Sequence, residues 1–128
     1  MRAIDTNILV RLIVRDDPRQ ASAAEAFIEK GAWVSVLALT ETAWVLSSVY
    51  SLTPKNLAVA IGMLLNHRDL ILQDTETVTA ALELFRSRPA LGFSDCMMLE
   101  TARKAGHLPL GTFDRNLAKA NGVQIVAH

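Results

Sequence analysis

Four acidic residues stand where apolar runs give way to polar ones. Asp5 follows RAI, Glu41 sits in LTETAWVL beyond the run AWVSVL, Asp95 lies in GFSDCMMLETARKAG, and Asp114 follows PLGTF directly. Taken singly, each is an ordinary helix cap, dipole partner or first-turn glutamate. Gathered in one place, such carboxylates repel and raise one another's pKa unless a cation shares the site. Oxygen donors with no His or Cys beside them select a hard ion, Mg2+ first and Mn2+ second. Mg2+ held by carboxylates keeps several waters and accepts phosphate oxygens, so the chemistry indicated is hydrolysis of a phosphodiester.

The elements that must position these residues are legible in the pattern. Short apolar runs (RAI, AWVSVL, LILQ, PLGTF and VQIV) alternate with helical stretches and show few hairpin signals. That alternation indicates an α/β fold: one domain over residues 1–128, with a mostly parallel central sheet of about five strands flanked by helices. Asp17-Pro18-Arg19-Gln20 reads as a cap, a proline at the first helical position and a capping glutamine, with Gly31 past that helix's end. Thr53-Pro54 opens another helix, Asp74 caps TETVTAALELF, and Gly106 and Gly122 stand where helices stop. RSRPALGFSD reads as an irregular loop. Ligands of parallel α/β sheets bind at the carboxyl ends of the strands. Asp5 and Asp114 end strands there, Glu41 falls in the first turn of LTETAWVLSSVY, and the helix carrying Asp95 begins at the same edge. The other acidic residues fall in caps, on exposed faces or at the opposite edge.

Composition narrows the partners. Hydrophobic residues make up 51% of the 128 and charged residues 20%, while Lys plus Arg and Asp plus Glu number 13 each. The chain therefore has no global basic field to hold nucleic acid, and any such partner must be gripped locally, by arginines and lysines such as Arg11, Arg15, Arg103 or Arg115. The single Cys96 excludes an internal disulfide and a thiolate cluster, and His67, His107 and His128 have no paired ligand spacing. With no membrane-length apolar run and no signal-peptide pattern at the start, a cytosolic protein is expected. LTETAWVLSSVY and TPKNLAVAIGMLLNH carry an apolar arc too wide for one small sheet, which points to coverage by another chain.

At the acidic positions the sequence resembles the PIN-domain ribonucleases, and within them the short VapC toxins of toxin–antitoxin pairs. The likeness runs the whole length, through IDTNIL, VLALTETAWVL, GFSDCMMLETARKAG and TFDRNLAKANGVQIV. It implies Asp5, Glu41, Asp95 and Asp114 as a catalytic, Mg2+-binding set, with Thr6, Asn7, Thr112 and Asn116 orienting the carboxylates and waters. Ser94 and the helix start behind it would hold a phosphate oxygen. It further implies an RNA substrate, a cognate VapB-type antitoxin and a homodimer. Other readings fit less well. A haloacid-dehalogenase-like phosphatase wants a second Asp where Asn7 stands and a late acidic pair that TFDRN lacks. A receiver domain wants paired acids after the first strand and a lysine after its last strands. A non-catalytic PIN-like scaffold has no need of the intact acidic set, and a ribosomal-RNA processing nuclease usually brings further domains.

Overall fold

A computed structural model describes the whole chain, Met1–His128. Two compact units are distinguished in it, Met1–Thr75 and Glu76–His128.

In the first unit β1 (Arg2–Ile4), β2 (Ala32–Val34) and β3 (Leu70–Leu72) form a parallel sheet in the order β1-β2-β3. The register aligns Ile4 with Val34 and Val34 with Leu72. Alternation of two residues governs these short strands: Ala32, Val34, Leu70 and Leu72 are buried, whereas Trp33 and Ile71 face outward. β1 is followed by α1 (Thr6–Ile13) and α2 (Pro18–Ile28), and β2 by α3 (Val36–Ser48) and α4 (Pro54–Leu65). α1 is too short to persist alone. It is held by burial of Leu9, Val10 and Leu12 and packs on α2 and α3, each buried leucine contributing about 1.5–3 kcal/mol.

The second unit contains α5 (Thr75–Ser87), which starts at its boundary, a 3-10 turn (Pro89–Leu91), α6 (Phe93–Ala105), β4 (Leu110–Thr112) and β5 (Val123–Ile125). β4 and β5 pair in parallel, Leu110 with Val123 and Thr112 with Ile125. Phe85 and Phe93 meet edge to face, with centroids 6.0 Å apart, among the buried Val78, Leu82, Met97 and Leu99.

The expected α/β architecture with parallel pairing is present, its five strands hydrogen-bonded as a sheet of three and a pair. The helix starts at Asp17 and Thr53 are as the sequence indicates, each side chain accepting a backbone N–H three residues on, from Gln20 and Asn56. Asp74 directly precedes α5, with its backbone in the left-handed region at φ 56°. Two boundaries also shift. AWVSVL is a strand only to Val34, because the Ser35 hydroxyl accepts from Ala38 N at 3.0 Å and starts α3 inside the apolar run. Gln73 Oε1 takes the N–H of Val36 at 2.9 Å and fixes the same start. RSRPALGFSD is largely ordered as the end of α5, the 3-10 turn and the start of α6, with Gly92 at φ 81° making the junction.

Candidate functional site

Within the first unit, Asp5 leaves the carboxyl end of β1 and caps α1, its Oδ1 accepting from Ile8 N at 3.2 Å. Glu41 lies in the second turn of α3 rather than the first, a correction that follows from the earlier start of that helix. The two segments are joined by Thr6, whose hydroxyl donates to Glu41 Oε1 at 2.5 Å. Asp5 and Glu41 are exposed, Thr6 is half-buried, and Asn7 is exposed beside it.

Within the second unit, Asp95 is in the first turn of α6, next to the half-buried Ser94. Asp114 closes the turn after β4: its Oδ1 accepts from Asn116 N at 2.8 Å and Leu117 N at 3.2 Å, and its own N–H donates to the Thr112 hydroxyl at 3.0 Å. Asn116 Nδ2 donates to the Ala90 carbonyl at 3.2 Å. That bond ties the Asp114 turn to the 3-10 turn from which α6 springs. Asp95 senses the charge of Asp114. Burial raises the pKa of Asp95 above its ordinary value, and the charge of Asp114 raises it further.

Each unit thus brings two of the sequence-derived carboxylates into one neighbourhood, with Thr6 in the first, and Thr112 and Asn116 in the second, bonded to the segments that carry them. No group of three or more His, Cys, Asp or Glu side chains meets the geometry expected of a metal site. In donor type the residues fit a hard divalent ion: carboxylates and hydroxyls, with one or two carboxylates sufficing when water and phosphate oxygens complete the shell. Cys96, beside Asp95, does not compete as a ligand. It is buried, and burial followed by the charges of Asp95 and Glu100 pushes its thiol up to about 11.

Sequence reasoning missed two features around these groups. Gln73, which sets the start of α3, gave no signal because a lone glutamine after a strand has no motif. Exposed Phe113, directly before Asp114, was marked only by being an aromatic beside the acid, whereas Arg115 on the other side, also exposed, is among the cations named from the sequence.

A PIN domain model matches residues 3–123, and the chain belongs to the PIN domain family. No curated protein and no solved structure matches it. PIN domains are generally metal-dependent nucleases, so the family points to hydrolysis of nucleic acid and does not favour the phosphatase alternative. No helix is long and apolar enough to cross a membrane.

Proposed function

We propose that this PIN-domain protein is a Mg2+-dependent endoribonuclease, with Mn2+ as a substitute, acting as the toxin of a type II toxin–antitoxin pair. Asp5, Glu41, Asp95 and Asp114 are its catalytic and metal-holding carboxylates. The observation that carries the reading is the pairing of acid-bearing segments inside each unit, the Asp5-Thr6 segment with Glu41 through the Thr6 hydroxyl, and the Asp114 turn with the start of α6 through the Asn116 bond to Ala90, where the charge of Asp114 acts on Asp95. Family membership supports nuclease chemistry at such acids. The resemblance of IDTNIL and TFDRNLAKANGVQIV to VapC toxins supports the toxin role, an RNA substrate and a VapB-type antitoxin.

When bound, the divalent ion supplies charge compensation and Lewis-acid activation at the scissile phosphate. The chain's own side chains do the positioning. Thr6 fixes one oxygen of Glu41, while Thr112 and the N–H groups of Asn116 and Leu117 fix Asp114, so the carboxylates are preset rather than ordered on binding. The start of α6 at Ser94 offers backbone N–H groups to a phosphate oxygen. A homodimer is supported by Trp44 on α3, Val49 just past its end, and Val59 and Met63 on α4, which stay 54% or more exposed. A cytosolic location agrees with the lone, reduced Cys96.

The test is incubation of the purified protein, freed of any co-purifying partner, with total bacterial RNA in Mg2+, Mn2+ or chelator, beside Asp5→Asn and Asp95→Asn. Discrete metal-dependent cuts, absent from both variants, are expected. Cutting that survives both substitutions would sink the assignment of the site, and intact RNA from folded wild-type protein would sink the ribonuclease reading.

A further inference from the structure

The turn that carries Asp114 presents two side chains that the reading above leaves unused. Phe113 is 65% exposed on a segment pinned from both sides, because Val126 N donates to the Thr112 carbonyl at 2.8 Å and Asp114 N to the Thr112 hydroxyl at 3.0 Å. Its ring neighbour is His128, at 5.3 Å between centroids and an interplanar angle of 78°, an edge contact and not a stack. Arg115, also exposed, takes part in none of the chain's ion pairs or side-chain hydrogen bonds.

We infer that Phe113 and Arg115 form a landing for single-stranded RNA on either side of Asp114: the ring stacks one unpaired base and the guanidinium meets a neighbouring phosphate. The inference rests on the ribonuclease reading. A strand whose phosphate reaches Asp114 passes over the residues that flank it. Base faces are apolar and polarisable while the backbone is anionic, and an aromatic next to a cation is the pair of groups that single-strand surfaces use. Because the chain is neutral overall, local grips of this kind must supply the affinity. A ring followed directly by a carboxylate and a guanidinium is poorly suited to the centre of a protein interface, where charged residues are depleted. Phe113 is thus a positioning residue that places the base beside the scissile bond.

The test uses a short single-stranded oligoribonucleotide carrying 2-aminopurine, whose fluorescence is quenched by stacking, with protein in the Asp95→Asn background and Mg2+. Quenching is expected with Phe113 and with Phe113→Tyr. It should be lost in Phe113→Ala and Phe113→Leu, with affinity down about tenfold. Arg115→Ala should reduce the slope of log affinity against log salt by about 0.7. In otherwise wild-type protein, Phe113→Ala should raise KM for RNA more than it lowers kcat. Circular dichroism identifies any variant that misfolds, and the aliphatic Phe113→Leu replaces Phe113→Ala if the latter does. Quenching that persists in the folded Ala or Leu variant, or is missing with the native ring, overturns the inference. So does a change in chain association, read by sedimentation, with RNA binding intact, which would assign the ring to a protein contact. Failure of wild-type protein to cut RNA bears on the ribonuclease reading alone, since the quenching assay needs binding and not cleavage.

Discussion

Asp95 shows in one side chain the tension of a half-buried carboxylate with a second acid nearby. Burial and the neighbouring Asp114 both raise its pKa. A carboxyl whose folded-state pKa is raised contributes stability that is complete below the ordinary carboxylate range and is lost as the pH climbs through the folded value. Asp95→Asn removes that loss. In chelator, the variant should melt above wild type at neutral pH, and the gap should close as the pH falls towards about 3. Added Mg2+ should then raise the melting temperature of wild type more than that of the variant. Thr6→Val removes the hydroxyl that holds Glu41 Oε1 and is expected to weaken Mg2+ or Mn2+ binding about tenfold by calorimetry. Unchanged affinity would mean that Glu41 is oriented by other means. The places of Asp5, Asp95 and Asp114 in the fold were legible because they stand where strands end and helices begin. The turn occupied by Glu41 was not, since its count depends on a helix start hidden in an apolar run.

That hidden start belongs to the scale of elements. Val-Ser-Val-Leu reads equally well as strand or helix by hydrophobicity, and the Ser35 cap together with the distant Gln73 decides it for α3. Where proline follows the cap, as at Asp17 and Thr53, the sequence is unambiguous, because the ring and the capping oxygen specify the same boundary. Asp17→Ala should therefore cost about 1 kcal/mol, seen as a lower urea midpoint with an unaltered slope. RNA cutting per folded molecule should not change, as α2 carries none of the four carboxylates. The grouping of the strands into three and two was beyond reach. Three-residue strands carry too little pattern to specify which edges bond.

For the whole molecule, the sequence showed that α3 and α4 have more apolar residues than one face needs. Only the structure separates Leu46, Leu57, Ile61 and Leu64, which are buried, from Trp44, Val49, Val59 and Met63, which are exposed. If the exposed group is the dimer face, Trp44→Asp should convert dimer to monomer in sedimentation experiments while leaving the far-ultraviolet spectrum unchanged. A wild type that is already monomeric at micromolar concentration would refute that role.

The same tryptophan has an optical consequence. Trp33 and Trp44, 37% and 59% exposed, and the lone Tyr50 all lie in Met1–Thr75, so Glu76–His128 contains none of the chain's indole or phenol rings. Intrinsic emission therefore originates in the first unit alone. Its colour should shift to the blue if another chain covers Trp44.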